Sequence, residues 1–518
     1  MKKLLALVLA LVMSMSLVTI SNAAFKDADK IDYDEAVEVM NAVGVLVGDE
    51  KGNFNAKENL TRAQAAKIIS YLLLGNKTAE ALAGSGKFTD VAKTSWFAGF
   101  VDYCASTGVV NGVGDGKFDP NGQLTGYQFA KMLLVALGYD AKIEGFTGAD
   151  WQINVSKRAD QANLFDSLDI SGNAALTREQ AAQMCLNTLK SPLVEYSNKG
   201  GNLTINGATI NIGASNAEYK TSSTKLADQT IYANKLNSSA GEYIVEFAEQ
   251  YYSDLVLKSG EADDFGRPAH TWLLNNQKVG TYAEDVDYEY TTAVTGKALY
   301  EALGKNTVET YDFSVFVDGA EKDAIAKEIA KNNKADLAST GNGVLTQVFV
   351  DNDKETVIIS MVNTYLAKAS ADYNSKKDSV SLKIYFTDDG TTKTVDGEDL
   401  AISDIKDGDF LLVTYSYMTG VNKVESIAKP EAIEDSAIDA FKSGKGGNIT
   451  VGGTKYGYNK AAKYDADVLE DYTTSTGSTN LKDITYNLYL DQYGYVIGVE
   501  EVDAVDTYVF ITGIDFSY

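Results

Sequence analysis

Three short stretches carry the side chains best suited to holding a ligand: Leu60-Thr61-Arg62-Ala63-Gln64, Leu124-Thr125-Gly126-Tyr127-Gln128 and Leu176-Thr177-Arg178-Glu179-Gln180. A threonine with a glutamine three residues on forms a capping box, in which each side chain bonds the other residue's backbone N–H. A helix that opens there presents N–H groups and the positive end of its dipole, which attract an anion. Arg62 and Arg178, one residue past the cap, add a planar forked donor for bidentate capture of a carboxylate. A cation at the first position of a helix is slightly unfavourable for the helix itself, so ligand binding accounts for these arginines better than surface charge does. In the second stretch Gly126 replaces the arginine, which predicts a weak or empty groove.

Little else in the chain is equipped for chemistry. One histidine and two cysteines leave few ligands for zinc or haem and no Cys/His nucleophile. His270, within Phe265-Gly-Arg-Pro-Ala-His-Thr-Trp272, has no Ser or Cys motif around it from which a triad could be built. Cys104 and Cys185 lie in apolar helical contexts and read as small buried hydrophobes. Asp351-Asn352-Asp353 opens like an EF-hand loop, but Thr356 stands where glycine is needed and Val362 where the bidentate glutamate is needed. A looser surface calcium site is the one metal expectation left, set against an ordinary acidic hairpin turn. Among 72 acidic residues no pair is singled out for glycoside hydrolysis. The expectation is therefore no catalytic residue and no cofactor, although a catalytic C-terminal region is not excluded. The formal charge of −26 argues against a basic surface for nucleic acid or anionic lipid.

The capped stretches sit in a repeated unit. Gly48-Asp-Glu-Lys-Gly-Asn-Phe54 lies six residues before Leu60, and Gly112-Val-Gly-Asp-Gly-Lys-Phe118 lies six before Leu124. Upstream, Phe25-Lys-Asp27 precedes Tyr33 by eight residues, and Phe88-Thr-Asp90 precedes Trp96 by eight. A third, eroded copy keeps Phe146, Trp151 and the Thr177 cap but has lost the Gly-rich turn and its phenylalanine. Each copy reads as helix, turn, helix. Ala36, Val37, Met40 and Val43 make one apolar face, and Gly44 ends that helix. Apolar faces follow each cap: Ala65, Ile68, Ile69, Leu72; Phe129, Met132, Leu133, Leu137; Ala181, Met184, Cys185, Leu189. A single pair of helices cannot bury this much surface, so the three copies should pack on one another.

The Phe-x-Asp start, the aromatic eight residues on, the turn running into Phe and the Leu-Thr-Arg-Ala-Gln stretch resemble S-layer homology domains, over about residues 25–195. The resemblance implies three tandem copies forming an all-α pseudo-threefold prism, with copies at 25–76, 88–140 and 146–195. It further implies binding to the secondary polysaccharide of a Gram-positive cell wall, commonly one bearing a pyruvylated amino sugar, whose ketal carboxylate suits the arginines. Residues matching the pattern are Thr61, Arg62, Thr177 and Arg178, with Asp27 and Asp90 as turn or cap residues that also shape the groove and Trp96 as a candidate for stacking on a sugar. Aromatics at such helix starts are otherwise core residues.

Two further features frame the molecule. Met1-Lys2-Lys3, the apolar run Leu4 to Ile20 and the small residues Ser21 to Ala24 read as a removable export signal over residues 1–24, set against a retained anchor. No other run approaches 18 apolar residues, so no membrane insertion is expected after cleavage. Past Ser197 the net charge is −22, and 25 of the 31 tyrosines lie here, in short runs with Val, Thr and Ile broken by Asp, Asn and Gly. This predicts mostly β, Ig-like or small-barrel-like modules at 200–370 and 371–518, with one helix from Ala320 to Leu337. The hairpins are expected around 351–355, 387–390 and 491–494, and between 411–417 and 421–427. The whole reads as a multidomain, secreted, wall-associated or S-layer protein that does no catalysis, with self-assembly into a lattice as a further expectation. The competing reading is a wall-anchored carbohydrate-active enzyme or carbohydrate-binding protein. An acid pair in a cleft or an aligned aromatic platform would favour that alternative.

Overall fold

The computed structural model describes residues 19–20, 25–205, 208–224, 226, 236–237, 241–322, 324–397, 400, 402–418, 422–442, 446–464 and 484–502. The expected leader lies outside them, apart from the two-residue strand Thr19–Ile20. Two compact units account for the described chain. One holds the residues up to Glu261 together with Ala269–Ala283, and the other holds Ala262–Pro268 and the residues from Glu284 onward.

In the first unit the three copies supply six helices: α1 (Asp34–Ala42), α2 (Arg62–Leu74), α3 (Ala98–Ser106), α4 (Gly126–Ala136), α5 (Trp151–Gln161) and α6 (Arg178–Leu189). All three expected capping boxes form, on Thr61, Thr125 and Thr177. The first helix of each copy is followed by a residue in the left-handed region: Gly44, Gly108 and, in the eroded copy, Asn163. The second helix of each copy packs on the first helix of the next, α2 on α3, α4 on α5 and α6 on α1, so the series closes on itself. At the centre the leucines before the caps form a cyclic set of backbone bonds: Leu60 N–H to Leu176 O at 2.7 Å, Leu124 N–H to Leu60 O at 3.0 Å, and Leu176 N–H to Leu124 O at 2.9 Å. Phe54, Phe118, Leu60, Leu124, Leu176, Phe129 and Met184 fill the core around this ring. Cys104 and Cys185 are free and buried, and burial pushes the Cys104 thiol up to about 12.

The unit continues beyond the third copy. The short helix α7 (Phe247–Tyr251) buries Phe247, and the Tyr252 hydroxyl that follows donates to the carbonyls of Tyr71 and Leu72 at 3.3 and 3.1 Å. An antiparallel meander follows, with strands β1 (Leu255–Ala262), β2 (Pro268–Leu274) and β3 (Gln277–Ala283). Trp272 of β2 and Tyr282 of β3 are buried in the same core.

The second unit is built mainly of strands. β4 (Tyr288–Tyr290), β5 (Asp312–Val317), β6 (Ala320–Glu321), β7 (Leu345–Asp351) and β8 (Thr356–Val362) form one sheet in the order β4-β7-β8-β5-β6. The expected hairpin is the β7–β8 pair, in register from Leu345↔Val362 to Asp351↔Thr356. β5 runs parallel to β8, and helices α8 (Gly296–Leu303), α9 (Lys305–Thr310) and α10 (Ala324–Ala330) supply Leu299, Val308, Ile325 and Ile329 to the core of this sheet. A mixed sheet covered by helices is not an Ig-like sandwich, and the expectation of one helix is corrected. Ala320–Glu321 pairs as a strand after the left-handed Gly319, and the helix ends before Asn332, also left-handed, instead of running to Leu337. α8 was missed, although Thr295 caps it through Ala298 N–H and Gly304 ends it at φ +81°.

β9 (Thr364–Ala369), β10 (Ser379–Ile384), β11 (Thr391–Asp396), β12 (Phe410–Ser416) and β13 (Lys423–Ala428) form an antiparallel sheet in the order β11-β10-β9-β12-β13. The division expected at 370–371 therefore falls inside this sheet, between β9 and β10. The remaining described strands of the second unit make two small three-stranded sheets, one of which contains the expected hairpin, Thr485–Leu490 with Val496–Val502. Among the described residues no helix is long and apolar enough to cross a membrane.

Candidate functional site

Each capped helix meets the turn of a neighbouring copy, and the arginines lie in that contact. Arg62 donates from Nε to Phe118 O at 2.9 Å and from Nη2 to Asn111 O at 3.0 Å, and its guanidinium lies 4.6 Å from the centre of the Phe118 ring. Arg178 repeats the arrangement on the first copy: Nε to Phe54 O at 3.0 Å, Nη2 to Val47 O at 3.1 Å, and 5.0 Å to the Phe54 ring. Two of the five guanidinium donors are thus committed to the fold, leaving three for a ligand. Both phenylalanines are fully buried and fix the plane on which the guanidinium rests.

The backbone N–H groups of the helix starts are not available, which corrects the sequence expectation. Arg62 N–H bonds Gly122 O at 2.9 Å, Ala63 N–H bonds Pro120 O at 3.0 Å, and Gln64 N–H bonds Thr61 Oγ1 at 3.3 Å. Arg178, Glu179 and Gln180 are satisfied in the same way by Glu58 O, Ala56 O and Thr177 Oγ1. Thr61 and Thr177 are therefore occupied as caps. Sequence reading of one copy at a time supplies helix donors and cannot see the carbonyls that a neighbouring copy brings to them. The attraction left for an anion is the arginine side chain and the helix dipole.

Asp27 and Asp90 act on the turns. Asp27 accepts from the N–H groups of Phe54 and Asn55 at 2.7 and 2.8 Å, and Asp90 accepts from those of Phe118 and Asp119, both at 2.8 Å. Each carboxylate clamps the turn whose phenylalanine carries an arginine. Trp96 is 58% exposed and packs edge-on against Phe97, so it is a surface aromatic rather than core. Beside it stands Lys67, whose Nζ is 5.9 Å from the Trp96 ring and 3.0 Å from Glu80.

Lys67 has a counterpart that sequence reasoning overlooked. Lys131 occupies the same place six residues after its capping threonine, and its Nζ lies 6.0 Å from the Trp151 ring. Burial, and then the positive charge of Arg62, hold the Lys131 ammonium below its ordinary range. The two cations, from different copies, thus repel one another, which a nearby anion would relieve. The shared register was available by laying the two helices side by side.

The three grooves are not equal. At Arg178 the following residue is Glu179, a buried carboxylate that accepts from Asp32 N–H at 2.9 Å and pairs with Lys57 at 2.5 Å, while Lys57 also pairs with Asp32. In the first groove Ala63 holds that position. In the second copy Gly126 leaves the arginine position vacant, and the Tyr127 ring packs edge-on against Phe165, 5.9 Å between centres, and over Gly172. A cavity of about 230 Å³ remains, lined by Tyr127, Asp160, Phe165, Asp166 and Ile170 among others. With two acids and no cation on its wall, this cavity is a poor receptor for an anion.

The calcium expectation at 351–353 meets a self-satisfied turn. Asp351 accepts from Asp353 and Lys354 N–H at 3.0 and 2.9 Å and pairs with Lys354 Nζ at 2.8 Å. Among the described residues no group of three or more His, Cys, Asp or Glu is placed to hold a metal ion.

The family model for the S-layer homology domain matches residues 24–66 and 87–130, the first two copies. The chain is similar to the middle cell wall protein of Brevibacillus brevis, 24% identical over 97% of this chain and 54% of that protein. It is also similar to the surface layer protein of Brevibacillus choshinensis, 24% identical over 98% of this chain and 51% of that protein. The chain spans about half the length of these curated relatives. A shorter match, 29% identical over 27% of this chain and 14% of the relative, is to an endo-1,4-beta-xylanase A of Thermoanaerobacterium saccharolyticum.

Proposed function

We propose that this is a non-catalytic protein anchored through its N-terminal ring to a secondary cell-wall polysaccharide bearing an acidic, pyruvyl-type substituent. At the coarser level, it carries S-layer homology domains and belongs with the secreted proteins of the cell wall and surface layer. The eroded third copy is read as a third domain of the same kind, because its cap, its central leucine and its left-handed helix terminator occupy the same places. The observation that carries the proposal is Arg62 itself, fixed on the buried Phe118 ring by two backbone carbonyls with three guanidinium donors left over. In this reading the remaining Arg62 donors take the ligand carboxylate, Lys131 adds charge, and Trp96 and Trp151 flank the sugar rings. The Arg178 groove, braced by Glu179 and Lys57, is a second site. The acidic β modules form the exposed coat, and their assembly with other copies into a lattice is part of the proposal. No cofactor enters it.

The test is sedimentation of the secreted full chain with purified wall sacculi. The chain should pellet with intact sacculi and stay in the supernatant once acid has stripped the polysaccharide. Equal pelleting with both would overturn the reading. The xylanase similarity motivates the alternative of a wall-anchored enzyme, which would be supported by glycan turnover lost on a single Asp or Glu substitution in the second unit.

A further inference from the structure

The first copy differs from the other two where the meander covers it. Two residues beyond Tyr33, Trp96 and Trp151 stand Glu35, Ala98 and Ile153; five residues beyond stand Glu38, Val101 and Ser156. Only α1 carries carboxyl groups at these places, and both meet the hairpin β2–β3. Glu35 Oε1 accepts from His270 Nε2 at 2.9 Å and from Trp272 Nε1 at 2.6 Å. Glu38 Oε2 accepts from the Tyr282 hydroxyl at 2.5 Å. His270 and Tyr282 are directly paired across the two strands, and Trp272 pairs with Gly280. Gly280 is required there, since a Cβ would come within 2.2 Å of the Tyr282 hydroxyl. The lone histidine of the chain and a fully buried tryptophan thus converge on one helix face more than 230 residues away in sequence.

We propose that hairpin 268–283 is a proton-dependent strap on the first repeat, closed on α1 while Glu38 holds a proton and released when that proton leaves. The charged and titratable groups facing the clasp are Asp34, Glu35 and Glu38 on α1, Lys190 at the end of α6, His270 on β2 and Tyr282 on β3. Burial raises Glu38 to about 8, opposed by the Tyr282 bond and reinforced by the negative charges of Asp34 and Glu35. Burial acts on Glu35 too, but its bonds with His270 and Trp272 and the charge of Lys190 outweigh it and hold Glu35 at about 2. The signs follow from linkage. Glu38, raised in the closed state, contributes closure that is complete below the ordinary carboxyl range near 4.5 and is lost as pH rises to about 8. Glu35, lowered, contributes closure above that range, lost as pH falls toward about 2. The strap is therefore held most firmly in mildly acidic solution and opens on the alkaline side.

Amide hydrogen exchange on the full secreted chain tests this, after correction for the base catalysis of exchange itself. Protection of residues 269–283 should fall at least about tenfold between pH 6 and pH 9, while β7 and β8 hold theirs. Glu38→Gln, which keeps an acceptor for Tyr282 without titrating, should flatten that dependence. Tyr282→Phe, a milder change, should lower hairpin protection while keeping a fall of the same sign with rising pH, displaced toward higher pH because the bond that opposes the rise of Glu38 is gone. Flat protection of the hairpin in the unsubstituted chain, an unchanged slope in Glu38→Gln, or full protection in Tyr282→Phe would each overturn the proposal.

Discussion

The Arg62 groove and the Tyr127 groove begin from the same cap and end in opposite chemistry. In the first, the turn from Asn111 to Phe118 presents a buried ring and two carbonyls, and an arginine lies across them. In the second the turn is shorter, Ile170 stands where the phenylalanine would be, and a tyrosine packs into the gap. The turn, as much as the cap, therefore decides whether a copy can hold a cation. Losing the phenylalanine and losing the arginine go together because each is the other's support.

The comparison is broken most forcefully at the ring itself. Phe118→Ala should cost about 3–5 kcal/mol of stability, the range for a buried Phe truncation, and should abolish ligand binding by removing the floor under Arg62. Ile170→Ala, only half-buried, should cost clearly less; equal losses by chemical denaturation would show that the two turns are not distinguished by this residue. Next in size is Arg62→Ala. Its affinity for a pyruvylated wall fragment should fall by about 1.5–3 kcal/mol by calorimetry. Its stability should fall by about 1 kcal/mol, because two carbonyl contacts and a ring contact go with it. Arg178→Ala is the matched measurement in the braced groove. Lys131→Met should lower affinity several-fold and flatten its salt dependence while leaving stability unchanged or slightly improved, since it relieves a like-charge contact. Loss of folding without loss of binding would return Lys131 to a packing role. The smallest effect is expected from Gly126→Arg. The backbone is ordinary helix, but the new Cβ meets Gly172 at 3.3 Å and the Phe165 ring at 3.4 Å, with Tyr127 already in the groove. Affinity should not rise, and a clear gain would mean that Tyr127 yields easily.

What could be read in advance was what one copy contains. The capping boxes, the Gly44 helix end, the β hairpins and the position of both arginines follow from local spacing, and the structure has them where the spacing puts them. What could not be read was what one copy lends another. The carbonyls of Gly122 and Pro120, from the second copy, silence the N–H groups of α2 in the first. Glu35 and Glu38 likewise receive their partners from a hairpin far along the chain. Helix α8 was different in kind: Thr295, the apolar Leu299 and Gly304 announce it locally, and the abundance of tyrosine and valine around it drew the reading toward strands.

The cyclic bonds of Leu60, Leu124 and Leu176 also impose an order in time. In a chain delivered amino end first, the bond between Leu124 and Leu60 needs only the first two copies, whereas the bond from Leu60 to Leu176 must wait for the last cap. Until then the Arg62 groove has both of its walls, whereas the Arg178 groove, built between the last copy and the first, does not exist. A ring assembled from a thread delivered end first is thus a clock as well as a scaffold. The Arg178 groove is complete only once all three copies are present.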